Sequence, residues 1–85
     1  MNILDINDLA HFRNTTDKKI GVTFSCFDLM HSGHMLMLKD SKNVCDILVV
    51  GLQTDPTVDR PHKNKPVLHY DERLIITESI KYVDY

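Results

Sequence analysis

The sequence predicts an α/β fold, the front half of a doubly wound parallel sheet. A β-branched and aromatic segment, Ile20–Cys26, precedes a helix-forming stretch, about Gly33–Asn43, which is followed by the apolar run Asp46–Leu52. A continuous apolar strand is typical of a parallel sheet that is covered on both faces. Because a strand, a helix and a strand in this order form a βαβ unit, we expect a right-handed crossover.

Two segments flank this unit. Residues 1–19 are an N-terminal extension whose apolar residues at helical spacing predict a short helix. Residues 53–69 contain all three prolines and a basic cluster, so we expect a loop. The segment Glu72–Val83 is predicted to be a last helix that packs on the sheet. Ser32 and Gly33 are expected to form the N-cap of the helix within the βαβ unit. The large apolar residues predicted to lie in the core are Phe24, Phe27, Met35, Met37 and Leu38.

Composition excludes several classes of function. A length of 85 residues predicts one small domain, and a formal net charge of −2 does not favour nucleic acid as a partner. The longest apolar run, Ile47–Leu52, is far shorter than the ~20 residues that span a bilayer, and we expect no membrane association. The first twenty residues lack the apolar run of a signal peptide. The two cysteines have no metal-ligand spacing, which predicts reduced thiols in a cytoplasmic protein.

The two predicted strands do not make a complete sheet. Both would be edges, and a two-stranded pair is marginal alone. A further parallel strand is expected after the last helix. We therefore expect that more chain or a partner completes the sheet. The marginal core of so short a chain also favours a homodimer.

The chemistry-bearing residues lie between the first strand and its helix, in Ser25–His34. Ligands of open α/β sheets bind beyond the carboxyl ends of the strands, and helix N-termini favour phosphate. His31 and His34 are one helical turn apart and share a face, and Gly33 lets the backbone approach a ligand. This pattern predicts nucleotide phosphates over the turn, with both imidazoles donating hydrogen bonds. Two surface histidines, or a zinc pair that lacks a third ligand at the usual spacing, are the alternatives.

The segment Cys26–His34 resembles the signature of the cytidylyltransferase-like nucleotidyltransferases, above all of the glycerol-3-phosphate and phosphoethanolamine cytidylyltransferases. The resemblance covers about Gly21–Tyr85 and implies a Rossmann-like, nucleotidyltransferase-type sheet, with residues 20–85 as an incomplete nucleotide-binding domain. The further matching segments are Asp46–Gly51, Thr54–Asp55, Lys63–Val67, Glu72–Arg73 and Ile80–Asp84.

This resemblance implies an enzyme that joins CTP to a small phosphorylated alcohol and releases pyrophosphate, with Mg²⁺ accompanying the CTP and no metal held by the protein alone. Glycerol-3-phosphate is the first expectation for the acceptor, and ethanolamine phosphate and a sugar phosphate stay open. The attacking phosphate oxygen is already ionised at pH 7, so catalysis needs positioning and charge stabilisation rather than a general base.

The resemblance also implies roles for individual residues. His31, His34 and Lys63 are expected to be catalytic, and Arg73 to bind the substrate or to support an interface. For Asp28, roles other than nucleotide binding also stay open: it could form a turn, orient a histidine or approach the metal. The residues expected to bind the nucleotide are Ser25, Cys26, Phe27, Asp28, Gly33 and Lys65.

Two other functions stay open at this point. One is a non-catalytic nucleotide-binding or assembly module built on the same fold. The other is an adenylyltransferase that uses ATP, because in this family the residues that read the base lie in a later part of the chain. The pattern of lysines around Lys63 and Lys65 favours CTP. Ser25 stands where the family commonly has glycine, which would narrow the phosphate site.

Overall fold

The computed structural model describes residues 4–55, 57, 61 and 65–85. The predicted order of strand, helix and strand is confirmed, as is the short helix in the N-terminal extension. The elements in chain order are α1 (Ile6–Thr15), β1 (Ile20–Ser25), α2 (Ser32–Asn43), β2 (Ile47–Leu52) and α3 (Tyr70–Glu78).

The last helix differs in its bounds from the prediction. It begins at Tyr70 rather than Glu72 and ends at Glu78 rather than Val83. Beyond Glu78 the chain continues in tight turns, in which the N–H of Ile80 donates to the Thr77 carbonyl and that of Val83 to the Ile80 carbonyl. These turns bring Val83 into the core, where it is 6% exposed.

The strands β1 and β2 pair in parallel, from Ile20 opposite Ile47 to Ser25 opposite Leu52. The chain then runs along the other edge of β2. The Tyr85 N–H donates to the Leu48 carbonyl at 3.3 Å, and the Val50 N–H donates to the Tyr85 carbonyl at 3.0 Å. One residue that bonds in this way to two residues on either side of its neighbour is the hydrogen-bond pattern of parallel strands. Tyr85 therefore occupies the position at which the sequence predicts a further parallel strand.

A small core lies between the sheet and α2. It consists of Phe27, Leu38, Leu48 and Val83, and Leu38 is fully buried. The predicted core position of Phe24 is wrong, because this side chain is 72% exposed on the sheet face opposite α2, where its ring lies over Gly51. Met37, at 36% exposed, is also outside the core. Among the described residues, no helix is long and apolar enough to cross a membrane.

Candidate functional site

The turn between β1 and α2 has an unusual backbone. Phe27 and Leu29 have φ angles of 50° and 48°, in the left-handed region that bulky side chains rarely adopt. Phe27 is nevertheless 1% exposed, and its N–H donates to the Ser25 hydroxyl at 3.3 Å. Such conformations persist only where the surroundings fix them, and they concentrate at functional sites. The segment predicted to hold phosphate is therefore a turn of defined shape.

The two histidines cap the N-terminus of α2. His31 is the N-cap, so the N-cap predicted at Ser32 and Gly33 is wrong by one to two residues. Its Nδ1 accepts the Gly33 N–H at 3.0 Å, and the Nδ1 of His34 accepts the His31 N–H at 3.1 Å. The two ring centroids are 4.1 Å apart. This is a capping box in which imidazoles take the places usually held by Ser or Thr and Glu or Gln.

Capping determines which ring nitrogen carries the proton. Since each Nδ1 accepts a backbone N–H, the proton of each neutral ring is on Nε2. Burial, and then the neighbouring His31, lower the pKa of His34 below its ordinary value, which favours this neutral form. The buried Phe27 ring packs against the His34 ring in an edge-to-face arrangement, with the ring centroids 5.8 Å apart. The pair therefore presents two Nε2–H donors held by the helix end.

Glycine at position 33 has a local reason. A Cβ there would lie 2.7 Å from Cε1 and 3.0 Å from Nδ1 of His31, closer than real Cβ contacts. The absence of a side chain thus gives the His31 ring the room to reach the Gly33 N–H.

Asp28 connects this turn to a distant segment. Its two carboxylate oxygens accept the N–H groups of Val67 and Leu68, at 2.8 and 2.9 Å. These two bonds, the one from Leu68 first, lower the pKa of Asp28. The carboxylate thus fastens the turn to the chain around residue 67, a contact that is not among the roles that the sequence leaves open for Asp28.

Arg73 projects from α3 into the interior and is 1% exposed. Its guanidinium donates to four backbone carbonyls, which fills four of its five N–H positions. This differs from the substrate contact that the sequence predicts for it, since little of the group is open to a ligand. The acceptors are Leu68 at 3.1 Å, Cys26 at 2.8 Å, Gln53 at 2.6 Å and Thr54.

A cleft of about 220 Å³ lies beyond the end of β2, and Arg73 forms part of its wall. The polar residues that line it include Thr54, Asp55, Lys65 and Tyr70. Bonds from the Thr57 hydroxyl and then its N–H lower the pKa of Asp55. Lys65 is exposed beside the cleft, whereas Lys63, the third predicted catalytic residue, falls outside the described residues.

Within the described part of the chain, no three His, Cys, Asp or Glu side chains come together as a metal site. Mg²⁺ prefers phosphate oxygens with one or two carboxylates, and Asp55 at the cleft is a carboxylate of this kind. The residues present therefore fit an ion that arrives on a nucleotide, with the triphosphate supplying most of its ligands.

Comparison with known proteins places this geometry in a family. The family model described as cytidylyltransferase-like matches residues 22–85. The bifunctional protein HldE of Helicobacter pylori is 38% identical over 84 residues, covering 98% of this chain. The HldE protein of Aliarcobacter butzleri is 34% identical over 82 residues, covering 95% of this chain. The chain spans only 18% and 17% of the length of these two relatives.

A solved structure agrees with the fold. It is a lipopolysaccharide core biosynthesis protein from Thermoplasma volcanium, 33% identical, with a TM-score of 0.70 over 79% of this chain and 54% of that one. The two curated relatives named above are HldE proteins, so the resemblance of the signature to glycerol-3-phosphate cytidylyltransferases in particular is not supported. The α/β nucleotidyltransferase fold is confirmed, and the chain belongs to the cytidylyltransferase-like family.

Proposed function

We propose that this chain holds the phosphate-binding half of a nucleotidyltransferase that transfers AMP from ATP to a phosphorylated sugar. A phosphate oxygen of the sugar attacks the α-phosphorus of ATP. The bond from the α-phosphorus to the bridging oxygen breaks, and pyrophosphate leaves with that oxygen. The products are an ADP-sugar and pyrophosphate. Mg²⁺ supplies charge neutralisation on the triphosphate when it is bound.

The observation that carries this proposal is the histidine capping box. Charge grows on the α-phosphate oxygens as the attacking oxygen approaches, and donors fixed beforehand stabilise it without reorganising. The Nε2–H groups of His31 and His34 are such donors, because their Nδ1 atoms are held by the backbone of α2. The N–H groups at the start of α2 add a favourable field for phosphate.

The similarity to HldE proteins favours the ATP-dependent alternative over CTP. A relative described as a lipopolysaccharide core biosynthesis protein points to a sugar as the group that carries the acceptor phosphate. CTP with glycerol-3-phosphate is the second candidate, supported by the lysine pattern around Lys65 and by the description of the family model. In either case we propose that the charge of Lys65 serves the phosphates, since Lys65 is among the residues that line the cleft.

Pyrophosphate release by the purified protein tests the proposal. The assay crosses ATP and CTP with a sugar 1-phosphate and glycerol-3-phosphate, in the presence of Mg²⁺. We expect turnover with ATP and the sugar phosphate, and a loss of about 10²–10³-fold in kcat for His34→Ala. His11→Ala, an exposed histidine on α1, is the matched control and should leave kcat unchanged. Turnover with CTP alone would favour the second candidate. Nucleotide binding without turnover would support a non-catalytic module, and equal rates for His34→Ala and the wild type would reject the role of the pair.

A further inference from the structure

Leu68 is held by both of its backbone groups. Its N–H donates to the Asp28 carboxylate at 2.9 Å, and its carbonyl accepts from Nε of Arg73 at 3.1 Å. Asp28 belongs to the turn that carries the histidines, and Arg73 belongs to α3. We call this arrangement of Asp28, Leu68 and Arg73 the Leu68 latch.

The same guanidinium joins the ends of both strands. It donates to the carbonyl of Cys26, directly after β1, and to those of Gln53 and Thr54, directly after β2. A planar fork with several N–H groups suits this task, because the carbonyls lie in different directions around it. Arg73 thus ties the histidine turn to two segments that line the cleft, the end of β2 and the chain around Leu68.

Lys65 lies only three residues before Leu68. Three residues of fully extended chain span roughly 11 Å at most, so the latch keeps the backbone of Lys65 within that distance of Leu68. Pro66, whose φ angle is fixed by its ring, and Val67, whose N–H donates to Asp28 at 2.8 Å, restrict the intervening chain further. A lysine on a free loop would lack this constraint.

We propose that Asp28 and Arg73 are positioning residues, which act through the Leu68 latch to hold Lys65 beside the phosphates bound at the histidine pair. This rests on the proposed function, since it is the phosphates of that reaction that Lys65 would meet. The two side chains that the resemblance assigns to nucleotide and substrate binding thereby act on the protein backbone instead.

Two conservative variants test the latch. Asp28→Asn keeps the shape of the side chain but loses one acceptor, because its amide NH₂ faces a backbone N–H. Arg73→Lys keeps the charge but replaces the fork with a single nitrogen, which reaches fewer of the four carbonyls. The matched controls are Asp71→Asn, an exposed carboxylate on α3, and Arg13→Lys, an exposed arginine on α1.

Amide hydrogen exchange gives a readout that does not depend on turnover. In Asp28→Asn we expect the amides of Val67 and Leu68 to exchange about tenfold faster, the protection of one ordinary hydrogen bond. We expect no change at these amides in Asp71→Asn. Equal exchange of Val67 and Leu68 in Asp28→Asn and the wild type would overturn the proposal.

Kinetics separate positioning from direct contact. We expect Arg73→Lys to raise KM for the phosphorylated substrates and to lower kcat/KM by at least about tenfold, while Arg13→Lys behaves as the wild type. If Arg73 bound substrate phosphate through its charge, lysine would restore kcat/KM, and that result would overturn the assignment. If Arg73→Lys does not fold, as circular dichroism would show, the Asp28→Asn comparison decides. A wild-type protein without turnover would reject the proposed function, yet the exchange data would still test the latch.

Discussion

Substitution of His34 by Asn and by Gln separates the two tasks of this side chain. The amide oxygen of Asn stands as many bonds from Cα as Nδ1 does, so His34→Asn can still accept the His31 N–H that His34 accepts at 3.1 Å. It has no counterpart of Nε2. The amide nitrogen of Gln stands where Nε2 does, so His34→Gln retains a distal donor and loses the short acceptor. Each variant thus keeps one function of the histidine: His34→Asn keeps the capping acceptor and His34→Gln keeps the distal donor.

The expected losses in stability and in kcat follow from these two functions. Loss of a capping acceptor costs about 1 kcal/mol of folding free energy, which for a domain of this size lowers Tm by roughly 4–8 °C. His34→Gln and His34→Ala should show this loss, and His34→Asn should stay within about 2 °C of the wild type. Loss of a fixed donor to the transition state costs about 10²–10³-fold in kcat. His34→Asn should therefore be stable and nearly inactive, whereas His34→Gln should be less stable and more active than His34→Asn.

Thermal unfolding by circular dichroism and pyrophosphate release measure the two quantities on the same preparations. If His34→Asn lowers Tm as much as His34→Ala does, the capping geometry is wrong. If His34→Asn retains kcat within about threefold, the Nε2–H donor is not part of the transition state, and the chemistry assigned to the pair fails.

Three further predictions concern stability. Burial, and then the neighbouring His31, lower the pKa of His34 in the folded protein, so the contribution of the neutral ring to folding stability is present above pH 6.5 and is lost as pH falls through the lower folded pKa. Urea unfolding between pH 8 and pH 5 should show this loss as a falling free energy of unfolding, with a smaller dependence on pH in His34→Asn. Leu38→Ala should cost about 2–5 kcal/mol because Leu38 is fully buried, whereas the 59% exposed Leu36 on the same helix should tolerate alanine in the same unfolding assay. Asp84→Asn should lower the free energy of unfolding by about 1–2 kcal/mol, since Asp84 lies 2.5 Å from the Lys42 ammonium and accepts the Leu48 N–H at 2.8 Å. Chemical denaturation measures this loss, and a loss no larger than that of the exposed Asp40→Asn would contradict the prediction.

The sequence predicts the order of elements because their signals are local. The β-branched run of β1, the apolar run of β2 and the helix-forming stretch between them each determine their own conformation. The end of α3 could not be predicted in this way. Ile80 and Val83 continue the helical spacing of apolar residues, but burial of Val83 against Leu38 and Leu48 requires turns after Glu78 instead. A tertiary contact here overrides a local pattern.

The candidate site likewise has features that local sequence signals predict and features that depend on tertiary contacts. The position of the histidine pair follows from the order of strand and helix, and the i, i+3 spacing places both rings at one helix end. The tautomer that they adopt depends on backbone N–H groups whose directions exist only once α2 has formed. The role of Arg73 depends on carbonyls 5 to 47 residues away in sequence, which spacing does not reveal.

The strained turn shows why α3 belongs to the site rather than to the scaffold alone. The left-handed residues Phe27 and Leu29 stand on either side of Asp28, and each costs about 1–3 kcal/mol. The contacts that offset this cost come from outside the turn: Phe27 packs with Leu38 and Leu48, Asp28 accepts from the chain around Leu68, and Arg73 holds the carbonyl just before Phe27. Since two of these three contacts depend on α3 or on the segment leading into it, docking of α3 and the shape of the histidine turn are coupled. A substitution in α3 that loosens Arg73 should therefore also disturb the conformation of the histidine turn.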